Sequence, residues 1–168
     1  EGRELDSDGL AELLMGWLDR FPIVSLEDPF DEADSLGFAR FTAAVGDRVQ
    51  IVGDDFLFTN AERVLEAAAE GACTALLVKP NQAGTLSEAK AAFDAAHKAG
   101  WQNIVSARSG ETEDMTVVHL AIGWGAEQLK VGSFARTERM AKWNEGLRIT
   151  ESLGNAATLA TPFENYQQ

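Results

Sequence analysis

The chain has one cysteine, Cys73, so it forms no internal disulfide, and this favours a reducing, cytoplasmic compartment as an expectation. Apolar runs are short. None approaches the roughly 18 residues of a membrane span. The N-terminal Glu1-Gly2-Arg3-Glu4-Leu5-Asp6 is acidic and lacks the basic-then-apolar order of a signal peptide. Basic residues are scarce: 14 Lys and Arg against 27 Asp and Glu leave a net charge of -13. That excess argues against nucleic acid as a partner, which requires a basic surface. Histidine is nearly absent. His97 and His119 both fall inside helical patterns and read as ordinary helix residues rather than ligands. Low-complexity segments and like-charge blocks are missing too, so the chain reads as one domain or one contiguous piece of one.

What is present is a period. Five apolar runs each end in a polar or charged group: Ile23-Val24-Ser25-Leu26 into Glu27, Val49 to Gly53 into Asp54, Ala75-Leu76-Leu77-Val78 into Lys79, Asn103-Ile104-Val105 into Ser106 and Arg108, and Glu127-Gln128-Leu129 into Lys130. The ends recur at roughly 25 residues, the length of one strand, one helix and two short loops. Chemistry at the C-terminal end of every strand is how a (β/α) barrel assembles its site. The expected fold is α/β, a partial TIM-type barrel of about five βα units. With 168 residues against the roughly 250 of a closed barrel, the missing strands belong to a longer chain or a partner, or else the sheet is an open doubly wound one.

Between the strands, helices are expected over 8–20 with Asp8 as cap, 31–45, 59–70, 85–98, 112–124 and 136–153. Thr59-Asn60-Ala61-Glu62 and Thr85-Leu86-Ser87-Glu88 read as capping boxes, and Gly71, Gly100 and Gly154 as C-terminal stops. The four tryptophans, Trp17, Trp101, Trp124 and Trp143, read as helix-to-sheet packing. The barrel portion is taken as 1–154, and 155–168 as an extended tail.

Glu27 and Asp54 end neighbouring strands, where two carboxylates repel unless a cation lies between them; Mg²⁺ suits such a pair. The bland alternative is helix capping, which Asp28 and Asp55 also offer. Lys79 and Lys130 at the same rim are disposed to act as a general base, or to form ion pairs with Glu27 and Asp54. Arg108 offers a forked donor for phosphate or carboxylate, with the Ser109 hydroxyl beside it and Gly110 next. Here the alternative is a helix cap by Ser109 or Thr112.

At these residues the chain resembles the enolase family. The similarity is carried in order by Ser25-Leu26-Glu27-Asp28-Pro29-Phe30, Gly53-Asp54-Asp55, Lys79-Pro80-Asn81-Gln82, Ser109-Gly110-Glu111-Thr112-Glu113-Asp114 and Arg139-Met140-Ala141-Lys142-Trp143-Asn144. The resemblance implies a cytoplasmic, Mg²⁺-dependent lyase of glycolysis that dehydrates 2-phosphoglycerate to phosphoenolpyruvate, a homo-oligomer when whole. It implies Glu27 and Asp54 as two of three Mg²⁺ carboxylates and Lys79 as the base toward carbon 2. Arg108 and Ser109 become phosphate contacts, with Ser109 near a second Mg²⁺, and Lys130 contacts the substrate carboxylate. It further implies that the small N-terminal domain, three strands, the third metal carboxylate, the general acid and a substrate-loop histidine precede Glu1, so that this segment alone is inactive and binds Mg²⁺ weakly. One position departs: the family's Ser-His-Arg-Ser run reads Ser106-Ala107-Arg108-Ser109 here. The alternative function is therefore an enolase-like protein with another acid substrate, or a metabolite-binding module.

Overall fold

A computed structural model describes residues 4–164 and Tyr166; residues 1–3 and the tail positions 165, 167 and 168 lie outside the described set. Five strands, β1 (Ser25–Glu27), β2 (Gln50–Gly53), β3 (Ala75–Val78), β4 (Gln102–Ser106) and β5 (Gln128–Lys130), pair in parallel in chain order. Registers such as Leu26 with Ile51, Leu76 with Asn103 and Ser106 with Lys130 bring the strand ends level. A doubly wound sheet reverses its strand order at a switch point. No reversal occurs here, so the open-sheet alternative is ruled out.

The sheet is also curled. Neighbouring strands lie about 4.8 Å apart, which would put β1 and β5 roughly 19 Å apart in a flat sheet. Yet Lys130 Nζ on β5 lies 2.5 Å from Glu27 Oε2 on β1, and Gln50 Nε2 on β2 donates to Gln128 Oε1 on β5 at 2.7 Å. The fold is a partial barrel, with side chains alternating between its inside and its helical coat.

The inside has three levels. Gln50, Gln102 and Gln128 meet at the bottom, where Gln50 Nε2 donates to both other amide oxygens and Ser25 Oγ donates to Gln50 Oε1 at 2.8 Å. Val52, Ala75, Leu77 and Ile104 form a small buried apolar cluster above them. Glu27, Asp54, Lys79 and Lys130 come next, at the rim. The opposite face, Ile51, Leu76, Val78 and Val105, packs under the helices. β3 is fully buried on both faces, which is why it reads as an unbroken apolar run.

The helices are α1 (Ser7–Leu18), α2 (Ser35–Val45), α3 (Ala61–Glu70), the short α4 (Pro80–Ala83), α5 (Leu86–Lys98), α6 (Thr116–Trp124) and α7 (Thr137–Leu153). On α2 the 3/4 spacing buries Phe38, Phe41 and Val45; Phe38 stacks on Phe56 at 4.1 Å while Phe30 meets Phe38 and Phe41 edge-on. Each such buried ring contributes about 1.5–3 kcal/mol. α5 begins at the expected capping box of Thr85 and Glu88, and Gly71 ends α3 with φ 66°. None of the described helices is long and apolar enough to cross a membrane.

Several sequence expectations shift. The cap of α1 is Asp6, which accepts from Gly9 N, rather than Asp8. α3 is capped by Asn60, because Thr59 is buried and turned inward. α2 and α6 each start four residues late. Before α6, Asp114 N bonds Thr112 Oγ1 and Thr116 N bonds Asp114 Oδ1, local turns that displace helix geometry, so neither Ser109 nor Thr112 is its cap. Trp101 and Trp124 join the core, whereas Trp17 is 42% exposed and Trp143 stacks on Phe134 instead of the sheet. His97 and His119 are exposed, and His119 Nε2 lies 3.1 Å from Glu145. Beyond a 3₁₀ turn (Gly154–Ala156), the tail returns to the bottom of the barrel, where Pro162 O accepts from Gln102 Nε2 at 2.7 Å.

Candidate active site

The strand ends open into one cavity of about 470 Å³, lined by Glu27, Asp54, Asp55, Lys79, Ser106, Ala107, Arg108, Ser109, Lys130, Val131, Gly132 and Arg139. All six candidate residues from the sequence reach it. It is a polar, open cleft, and the smaller surface grooves lined by Leu18 to Ile23 and by Phe58 to Glu62 carry no comparable convergence of charge.

Two acid–lysine pairs span the floor. Lys79 Nζ lies 2.5 Å from Asp54 Oδ2, with both side chains nearly buried (12% and 9% exposed). Lys130 pairs with Glu27 at the same distance but in the open. The ion-pair alternative anticipated for both lysines is thus the geometry of this state. Asp54 Oδ1 is buried without a hydrogen-bond partner. A buried carboxylate oxygen with free lone pairs is costly unless something positive meets it.

Asp28, which the sequence offered as an alternative helix cap, does different work. With φ 41° it leaves β1 in a left-handed turn, and its two oxygens accept from Asp54 N and Asp55 N, each at 2.8 Å. It therefore fixes the backbone at the end of β2. Burial pushes its carboxyl above the ordinary value, and the Asp54 and Asp55 charges add to this, against the two N–H bonds that pull it down. Asp28, Asp54 and Asp55 form a three-carboxylate cluster. With both Asp28 oxygens committed to backbone N–H groups, Asp54 is the better-placed donor for a cation.

Thr59 braces the neighbouring strand end. Its Oγ accepts from Lys79 N at 3.0 Å and donates to Gln82 Oε1 at 2.8 Å. Gln82 in turn reaches Asp55 at 3.4 Å. Across the cleft, Arg108 N donates to Glu111 Oε1 at 2.9 Å, and Asn81 Oδ1 lies 3.4 Å from Arg108 NH1. Burial raises the Glu111 carboxyl, but the bonds from Arg108 N and Lys142 outweigh it and hold it low. Ala107 is buried in the wall, its N–H donating to Lys130 O at 2.9 Å.

The sequence pattern marks Thr59 only as a helix cap and assigns no roles to Gln82, Arg139 or Lys142, although these last three lie inside quoted motifs. Their signal was weak because each acts on residues about 20 to 30 positions away. The residues at the rim fit the expected Mg²⁺: they offer hard oxygen donors, and the unpartnered Asp54 Oδ1 suits such a cation. A family model described as "Enolase, C-terminal TIM barrel domain" matches residues 1–167. Together with five parallel strands curled around a rim of acids and lysines, that match assigns the chain to the enolase C-terminal TIM barrel family.

Proposed function

We propose that this chain carries the proton-abstraction side of an enolase-type lyase, acting on 2-phosphoglycerate or a close phosphorylated 2-hydroxy analogue. The carrying observation is the convergence of two acid–lysine pairs and the Arg108–Ser109 loop on one cleft at the strand ends. Glu27 and Asp54 would hold Mg²⁺, with Ser109 beside a second ion. When bound, the metal supplies positive charge that stabilises the extra negative charge of a deprotonated carboxylate.

The chain's own residues divide the remaining work. Lys79, nearly buried and backed by Asp54 and Thr59, takes the proton from the carbon beside the substrate carboxylate. Lys130 sits on the opposite side of the cleft and binds the carboxylate. Arg108 and Ser109 hold the phosphoryl group, Arg108 through its fork of donors. The full-length protein in this reading is a homo-oligomer whose partners are a small acid and Mg²⁺.

The test is turnover of 2-phosphoglycerate by the full-length, Mg²⁺-loaded protein, followed by product absorbance. Lys79→Ala is expected to lower kcat about 10³-fold or more while the fold is retained. A folded, metal-loaded wild type with no turnover overturns the assignment of substrate. One observation favours a second reading, in which the acid differs: Ala107, where the family has histidine, leaves this wall of the cleft without an imidazole. Under that reading Ala107→His raises activity on 2-phosphoglycerate; under the first it leaves a good activity unchanged.

A further inference from the structure

Arg108 stands out because its backbone is held at both ends while its side chain is nearly free. Its N–H donates to Glu111 Oε1 at 2.9 Å. Its carbonyl accepts from Arg139 NH1 at 2.8 Å, and the next carbonyl, of Ser109, accepts from Arg139 NH2 at 2.6 Å. One planar guanidinium thus grips two consecutive peptide groups. The Arg108 guanidinium itself has only the long 3.4 Å contact with Asn81.

Arg139 is in turn firmly seated. Its side chain is 12% exposed, and one helical turn further along α7 lies Lys142, whose side chain is fully buried. Lys142 Nζ donates to Thr112 O at 2.8 Å and Glu138 O at 3.0 Å, and lies 3.1 Å from Glu111 Oε2. The same Glu111 holds Arg108 N, so α7 fixes the loop after β4 at Arg108, Ser109, Glu111 and Thr112. Gly132 makes the room: its φ is 92°, and a Cβ there would fall 2.9 Å from Arg139 Cδ. Trp143 Nε1 donates to Gly132 O at 3.2 Å and ties that loop to α7 as well.

We propose that Arg139 is a positioning residue for phosphoryl recognition: it fixes the Arg108–Ser109 peptide groups so that the Arg108 fork and the Ser109 hydroxyl face the phosphate. This deepens, and rests on, the reading of the cleft as a site for a phosphorylated acid. Arg139 lines the cavity but contributes through the loop. Each terminal nitrogen already donates to a backbone carbonyl, which fixes the plane of the guanidinium against the loop. A lysine here would offer a point charge in place of a fork and would hold one carbonyl well instead of two.

The experiment is a double-mutant cycle in the full-length, Mg²⁺-loaded protein, using Arg108→Met, Arg139→Met and the pair, with 2-phosphoglycerate and unphosphorylated glycerate as probes. Calorimetry gives affinity whether or not turnover occurs, and thermal unfolding checks each variant. Arg139→Met is expected to weaken 2-phosphoglycerate about tenfold and glycerate hardly at all. On the Arg108→Met background the same change should add less than about twofold, because the group it positions is gone. Arg139→Lys, which keeps the charge and most of the stem, should fall between and serves if the methionine variant does not fold. Equal losses on both backgrounds, or equal losses for both probes, would show a merely structural arginine and overturn the proposal. If Arg108→Met alone leaves 2-phosphoglycerate binding unchanged, the phosphate assignment itself fails and the proposal falls with it. If Arg108→Met weakens binding and Arg139→Met does not, only the proposal falls.

Discussion

Asp54 meets three demands at once: it pairs with Lys79, its backbone N–H is held by Asp28, and one of its oxygens stays unpartnered. Its position depends on the residue before it. Gly53 closes β2 against the side chains of Leu57 and Cys73; a Cβ there would lie 2.5 Å from Leu57 Cγ and 3.2 Å from Cys73 Sγ. Gly53→Ala is therefore expected to cost about 1–3 kcal/mol by overpacking, read as a lowered urea midpoint, and to reduce Mg²⁺ affinity by displacing Asp54. Unchanged stability would mean that Leu57 moves aside freely. Glu27, Asp54, Lys79 and Lys130 were legible as strand-end residues because position in the period marks them. Asp28 and Thr59 were misread because both follow a strand or precede a helix, where Asp and Thr ordinarily cap. Only the turned backbone, φ 41° and 48°, shows that they face across the sheet.

Helices and loops carry the site's rigidity. α2 is capped by Asp34, whose Oδ1 accepts from Gly37 N at 2.9 Å and whose Oδ2 accepts from the Ser7 hydroxyl of α1, so one carboxylate joins two helices. The Ser7 bond and then the Gly37 N–H hold its carboxyl below the ordinary 3.8. A depressed acid stabilises the fold above its unfolded value and loses that contribution as pH falls through the folded value. Asp34→Ala is expected to cost about 1 kcal/mol near neutral pH. The gap from wild type should close as pH falls below 3.8, the ordinary aspartate value. A gap that stays constant across that range would mean that the cap acts without its charge. This helix was expected from its phenylalanine spacing, but its start was placed four residues early. Periodicity marks the face a helix buries, whereas the first turn depends on a cap that touches another element.

At the scale of the whole molecule, the parallel order and the partial barrel were legible, because a strand–helix period constrains topology strongly. The device that holds the curvature was not. Gln50, Gln102 and Gln128 each begin or nearly begin a strand and read there as unremarkable polar residues; nothing local shows that three strands bring them together. Gln50 is fully buried, donates to both other amides and accepts from Ser25, so a single side chain links β1, β2, β4 and β5. Gln102 passes the link on to Pro162 in the tail. Gln50→Leu would keep the bulk and remove every side-chain bond, leaving the amide oxygens of Gln102 and Gln128 without this partner in a partly buried place. A loss of about 1–3 kcal/mol in chemical denaturation is expected. Asp54 lies four positions after Gln50, roughly 13 Å along the strand, with the apolar Val52 level between them. The variant's kcat and KM at a temperature where it stays folded should therefore match wild type. Lost stability with intact kinetics would establish the glutamine layer as the brace of the curled sheet, and unchanged stability would shift that role to the Lys130–Glu27 pair at the rim.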